Sequence, residues 1–218
     1  MIPQRLGVLD TIARQVPHPV GEDCVRVAID GVDGAGKTIF ADELSTTLVK
    51  SGRPVVRICA DDFLNPRRVR YRRGRTSPEG YWLDSYDYPA LWERVLNPLG
   101  PGGDRWYKAG SLDLLADRRM NPSPMLAEPG SVLVLDGMFL HRDELAEVWD
   151  FSIFLDVGFS VTAARMAQRD GSHPDPEHPS MARYVRGQRL YLAACDPASR
   201  ASVVVDHTDP SRPALLTR

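Results

Sequence analysis

The sequence is poor in cysteine, and its three thiols are scattered. Cys24, Cys59 and Cys195 form no Cys-x-x-Cys pair, which excludes a zinc ribbon or a disulfide framework. Charge of either sign is not in excess. A formal net charge of -2 over 218 residues means that the whole chain is not an electrostatic partner of DNA or RNA. No apolar run approaches membrane-spanning length, and the N-terminus lacks a charged-then-apolar leader pattern. The expectation is a cytoplasmic protein with no membrane and no nucleic-acid partner, in a reducing compartment that suits free thiols. Internal repeats and low-complexity tracts are also lacking.

What is present is an ordinary globular balance, with 43% hydrophobic and 26% charged residues. The length fits one α/β domain spanning 1–218. Residues 5–16 place Leu6, Leu9, Ile12, Ala13 and Val16 at helical spacing, so residues 1–20 carry an N-terminal helix ended by Pro17 and Pro19. The run 24–29 reads as a buried strand, followed by a glycine-rich loop, a helix over 37–50 and a strand over 54–60. That order opens a parallel α/β fold. Residues 65–80 read as a mobile arginine-rich loop, and a short helix is predicted over 89–96. The stretch 97–130 reads as an irregular excursion with one hairpin; long excursions in compact domains are usually functional. Further strands are predicted at 131–135, 151–157 and 202–206. Between them, helices are predicted around 142–149, from Ser160 as cap to 169, and from 181 to 194.

The segment Gly31-Val32-Asp33-Gly34-Ala35-Gly36-Lys37-Thr38 matches GxxxxGK[ST] in its required strand–loop–helix context. Glycines there let successive N–H groups face phosphate oxygens, and the following helix adds partial positive charge. A nucleotide-binding role is predicted for Gly31, Asp33, Gly34, Ala35, Gly36, Lys37, Thr38 and Ile39, with Lys37 on the β- and γ-phosphates. Thr38 and Asp136, which ends an apolar strand, are the predicted Mg²⁺ ligands.

Such a loop does not say where the phosphoryl group goes. Asp61 and Asp62 end the second strand, where open α/β sheets bind ligands, and one of them can take the proton of an attacking hydroxyl. Six arginines between 67 and 75 either attract an anionic substrate or form a solvated basic face. Arg165 and Arg169 lie one helical turn apart before a proline-rich loop, in the manner of lid arginines that neutralise a transferring phosphoryl group. An Asn-Lys-x-Asp guanine-reading motif is absent, which counts against a GTPase switch.

Together these motifs resemble the uridine kinase-like family of P-loop kinases, which includes phosphoribulokinase and bacterial pantothenate kinase. The resemblance runs from about Val25 to Asp209. It rests on GVDGAGKT, DDF at 61–63, YDYP at 86–89, WY at 106–107, LDGMFLH at 135–141, RMAQRD at 165–170 and ASVVVDHTD at 201–209. It implies a three-layer α/β/α fold with a parallel sheet of about five strands, a lid over 160–195 and a substrate-pocket wall over 97–130. By the same resemblance, Asp61 rather than Asp62 is the catalytic aspartate. Asp87 and Tyr107 would bind the acceptor, and Arg165 and Arg169 would close over the phosphates. ATP and Mg²⁺ are the implied cofactors. The implied acceptor is a small-molecule hydroxyl, a nucleoside in first place, with pantothenate or a sugar phosphate as alternatives. A nucleotide-binding regulator or NTPase is the reading outside kinases. Two departures stand out: Leu64 replaces the frequent aromatic after Phe63, and no histidine falls in the base pocket.

Overall fold

The computed structural model describes residues 3–216. In chain order these are helix α1 (Pro3–Gln15), strand β1 (Val25–Gly31), helix α2 (Lys37–Lys50) and strand β2 (Val55–Cys59), followed by a 3₁₀ turn, Ala60–Phe63. Three short helices follow, α3 (Arg67–Arg70), α4 (Pro78–Asp84) and α5 (Tyr88–Leu91). The excursion carries β3 (Trp106–Tyr107), β4 (Leu112–Asp113), β5 (Arg118–Arg119) and β6 (Met125–Leu126). Regular structure resumes with β7 (Val132–Asp136), β8 (Phe151–Asp156), α6 (Phe159–Asp170), α7 (Ala182–Cys195), α8 (Pro197–Arg200), β9 (Val203–Asp206) and β10 (Ala214–Leu216).

Six strands form the central sheet in the order β10-β9-β8-β1-β7-β2. All neighbours are parallel except β10, which runs antiparallel to β9. The two-residue period of the strands divides the core. Ala28, Ile58, Leu133 and Leu135 pack on one face with Phe63, Tyr86, Leu91, Phe139 and Tyr191. Val27, Ile29, Val132 and Val134 pack on the other with Leu9 and Ile12 of α1 and Phe40, Leu44 and Leu48 of α2. The result is the expected three-layer α/β/α fold, with a sixth, antiparallel edge strand that the sequence reading did not include.

Several expectations change. The segment 65–80 is not a mobile loop: α3 and the start of α4 lie in it, and Ser77 with Pro78 supplies an ordinary helix start, Ser77 accepting from the Gly80 N–H at 3.0 Å. Residues 142–149 form consecutive turns rather than a helix, because their backbone bonds close over three residues (Leu145 to Arg142, Val148 to Leu145). Gly158, not Ser160, precedes α6 as its cap residue. The excursion holds two nested ribbons, β3 with β6 and β4 with β5, instead of one hairpin.

Helix α7 is bound to α4. A Cβ on Gly187 would stand 2.7 Å from the Pro78 carbonyl oxygen and 3.0 Å from the Tyr81 ring, so only glycine permits this approach. Arg183, buried on the same helix, donates to the carbonyls of Arg70, Gly74, Arg75 and Ser77 and lies over the rings of Tyr71 and Tyr81. Among the described residues no helix is long and apolar enough to cross a membrane.

Candidate active site

A cavity of about 530 Å³ opens at the carboxyl ends of β1, β2, β7 and β9. The phosphate loop crosses its middle. Gly34 (φ 78°) and Gly36 (φ 92°) adopt left-handed backbone, and both lack room for a side chain. A Cβ on Gly34 would meet the Thr162 carbonyl oxygen at 2.8 Å, and one on Gly36 would meet the His207 ring at 3.0 Å. Lys37 Nζ donates to the Val32 carbonyl at 2.9 Å. Thr38 Oγ1 donates to Asp136 Oδ2 at 2.8 Å, across from α2 to the end of β7. The Asp33 N–H donates to Gln188 of α7 at 2.5 Å, and Ile39 lines the cavity beyond Thr38.

On the β2 side the cavity is lined by Cys59, Asp61, Tyr86, Asp136 and Met138. The segment after β2 is zipped to the segment before α5: Asn65 N–H donates to Ser85 O and Asp87 N–H to Phe63 O, both at 2.7 Å. This brings the Tyr86 hydroxyl to Asp61 Oδ1, to which it donates at 2.9 Å. Burial holds the Tyr86 phenol far above its usual range, and the Asp61 charge adds to this, so the hydroxyl stays a donor. Desolvation raises the Asp62 carboxyl, with Asp61 and Asp136 pushing the same way and Arg57 opposing. Burial, reinforced by Asp136 and Asp61, pushes the Cys59 thiol up to about 12, so it remains neutral.

Asp136 is buried beside a cation. Arg57 Nη2 lies 2.7 Å from Asp136 Oδ1 as an ion pair without hydrogen-bond geometry, so that oxygen has no hydrogen-bond partner. On the β9 side stand Arg5, Arg165, His207 and Pro210. Arg165 donates to the carbonyls of His207 (2.9 Å) and Thr208 (2.8 Å), and burial lowers its pKa from the ordinary arginine value. Arg169, one turn further along α6, has a side chain 61% exposed, pairs with Asp170 at 2.8 Å and lies 3.8 Å from Asp33.

The structure thus brings Asp61, Lys37, Thr38, Asp136, Arg165 and Arg169 to one cavity. Two residues of the reading do not join them. Tyr107 packs in the β3–β6 ribbon and lines a separate groove with Val55, Val56 and Leu126, beside the amino end of β2, outside the lining of this cavity. Asp87 caps α5, accepting from the Ala90 N–H at 3.2 Å, and pairs with Arg119 at 2.8 Å, outside the cavity lining. The arginine cluster is also engaged: Arg72 and Arg73 both pair with buried Asp84, Arg70 faces Asp117 at 3.9 Å, and Arg75 lies over Tyr71.

Four residues around the loop escaped the sequence reading. Asp30, fully buried, accepts from the Gly31, Leu140 and His141 N–H groups, from His141 Nδ1 at 2.8 Å and from the Tyr191 hydroxyl. It ties the start of the phosphate loop to the segment after β7. A charged residue inside an apolar strand run was the available signal for Asp30, and equally for Arg57. Arg5 and His207 gave no such signal, because their partners lie far away in sequence.

No model of a known protein family matches. The chain is 25% identical over 150 residues to a uridine kinase of Ureaplasma parvum serovar 3, covering 67% of this chain and 69% of that protein. In fold it is similar to a possible uridine kinase from Bacillus stearothermophilus, with TM-score 0.71, 22% identity and 92% and 96% of the two chains covered. A putative fructose transport system kinase from Silicibacter sp. TM1040 gives TM-score 0.67, 21% identity and 89% and 96% coverage.

Proposed function

From a chain that resembles the uridine kinase-like P-loop kinases in sequence and in fold, we infer an ATP- and Mg²⁺-dependent kinase that phosphorylates a hydroxyl of a small molecule, a nucleoside or similar polyol. The observation that carries this reading is the single cavity shared by the phosphate loop and Asp61. One carboxylate oxygen of Asp61 is occupied by Tyr86, while Oδ2 has no hydrogen-bond partner among the described residues. In the proposed reaction the acceptor O–H gives its proton to that oxygen. The acceptor oxygen bonds to the γ-phosphorus, and the bond from that phosphorus to the β-bridging oxygen breaks, leaving ADP. Lys37 neutralises the phosphates, Arg169 covers the equatorial oxygens from α6, and Arg165 supports the loop at the nucleotide end.

The residues fit Mg²⁺. The donors are a hydroxyl and a carboxylate, and Asp136 Oδ1 is a buried oxygen lacking a hydrogen bond. No group of three or more His, Cys, Asp or Glu side chains among the described residues could hold a metal by itself. This suits an ion that keeps waters and phosphate ligands and takes only one carboxylate from the protein. When bound, Mg²⁺ supplies charge neutralisation across the phosphates.

Electrostatics favour an uncharged acceptor over a sugar phosphate or a carboxylate such as pantothenate. Asp61 and Asp62 lie at the acceptor end, and Arg70, Arg72, Arg73 and Arg119 are already paired with Asp117, Asp84 and Asp87. A panel of nucleosides, polyols, pantothenate and sugar phosphates, assayed by ADP release with MgATP, tests the reading. Turnover rising only with an uncharged polyol supports it. ATP consumption that no acceptor accelerates would replace the kinase with an NTPase.

A further inference from the structure

Helix α1 precedes the strand–loop–helix unit, yet one of its side chains reaches the cavity. Arg5, buried, clasps Glu43 of α2 with Nε (2.6 Å) and Nη2 (2.5 Å). Its Nη1 faces His207 Nε2 at 3.1 Å and donates to the Pro210 carbonyl. The His207 ring, 1% exposed, lies edge-on to Phe40 and contacts the Ala35 carbonyl oxygen through Nδ1 at 2.7 Å.

These two contacts fix the tautomer. A guanidinium has no acceptor, so His207 Nε2 must accept from Arg5. A carbonyl oxygen has no proton, so Nδ1 must carry the hydrogen and donate to Ala35. The ring is therefore neutral with its proton on Nδ1. Burial lowers its pKa below the ordinary histidine value. The Ala35 bond opposes that shift, Arg5 and Arg165 reinforce it, and Glu43 opposes it.

The Ala35 carbonyl belongs to the peptide that ends in the Gly36 N–H. That peptide is trans, so its C=O and N–H point in opposite directions. With the carbonyl held by His207, the Gly36 N–H is turned away from the ring, the orientation an anion-binding nest requires. Gly36 has left-handed φ, where peptide flips are sterically easy, so a fixed hydrogen bond on one side has something to hold.

We propose that Arg5 and His207 are positioning residues for the nucleotide: the chain Arg5–His207–Ala35 lets α1 hold the phosphate loop in its anion-binding orientation. This rests on the reading that the loop holds a nucleoside triphosphate. The role is separate from chemistry at Asp61, so it acts on nucleotide affinity rather than on turnover.

Calorimetric titration with MgATP, paired with steady-state kinetics on the acceptor found by the substrate panel, tests it. His207→Phe keeps a ring against Phe40 and Gly36 but has no donor. It is expected to weaken MgATP binding about tenfold, the effect of one well-placed hydrogen bond, with kcat at saturation within about twofold. His207→Asn retains an N–H for the Ala35 carbonyl and should recover affinity to within about threefold of wild type. Arg5→Gln should weaken binding similarly, and the Arg5→Gln/His207→Phe pair should be no weaker than His207→Phe alone, because one chain is being broken twice. Long-range ¹H–¹⁵N spectra of the imidazole should show the Nδ1–H tautomer in wild type and a mixture in Arg5→Gln. Wild-type affinity in His207→Phe, fully additive losses in the double variant, or an Nε2–H tautomer in wild type overturns the proposal. If His207→Phe does not fold, the Asn variant decides: affinity reduced tenfold despite its retained donor defeats the chain. Wild-type protein that does not bind MgATP defeats the nucleotide reading itself, and the positioning role with it.

Discussion

Arg57 and Asp136 face each other across neighbouring parallel strands, 2.7 Å apart, and Asp136 also accepts the Thr38 hydroxyl. A buried carboxylate so placed needs a cation at all times, supplied by the protein or by the metal. Arg57→Met leaves Asp136 with the Thr38 hydroxyl but without its internal cation and should cost about 3–5 kcal/mol in a chelator-containing buffer. The deficit should shrink when MgATP is added. Urea unfolding with EDTA and with MgATP measures both; an equal deficit in the two buffers would remove Asp136 from the metal site.

Asp61→Asn keeps the shape and the contact with Tyr86 but cannot take a proton. Turnover should fall about 10²–10⁴-fold while MgATP affinity stays within error. Single-turnover transfer alongside calorimetry separates the two, and full phosphotransfer by the variant would sink the base assignment.

Arg165 and Arg169 lie one turn apart yet differ in what they hold. Arg165 is engaged by two carbonyls of the segment after β9, whereas Arg169 is largely exposed at the cavity mouth. Arg169→Ala should lower kcat about 10²-fold with little change in the KM for ATP. Arg165→Ala should act chiefly on that KM. The same effect from both substitutions would contradict the division.

His207 makes stability depend on pH. Its folded pKa lies below its unfolded value, which is about 6.5, so the unfolded chain binds more protons in the range between them. The contribution is complete above about 6.5 and is lost as pH falls towards the folded pKa. Carboxylates add their own slope in acid, so the informative quantity is a difference. Urea midpoints of wild type and His207→Asn, followed from pH 8 to 5, should converge as the pH drops; parallel curves would mean that His207 is not held neutral.

Much of the architecture was legible because it follows from local patterns. The apolar runs of β1, β2, β7, β8 and β9 are buried whichever neighbour they find, and GVDGAGKT specifies its own turn. The antiparallel β10 was missed because Ala214–Leu216 is too short to show a period. Lys37 and Thr38 were marked by the GxxxxGK[ST] spacing and Asp61 by the strand end before it, and all three line the one cavity. The place of Tyr107 outside the cavity was not legible, because the path of the excursion depends on pairings such as Trp106 with Leu126, which no local signal sets. Arg5 and His207 meet across most of the chain, and only the folded sheet brings them together.

The bond between α7 and α4 restricts how this site can close. Gly187 and Arg183 fasten α7 to α4 and to the segment 70–77, on the side of Tyr81 and Tyr86. Helix α6, with Arg165 and Arg169, packs in turn against α7 through Ala163 and Met166 on Met181 and Val185, and ends at Gly171 in the left-handed conformation of a helix cap. Closure over the phosphates by α6 alone would therefore have to break that packing, so the two helices and the segment 70–77 would move together or not at all.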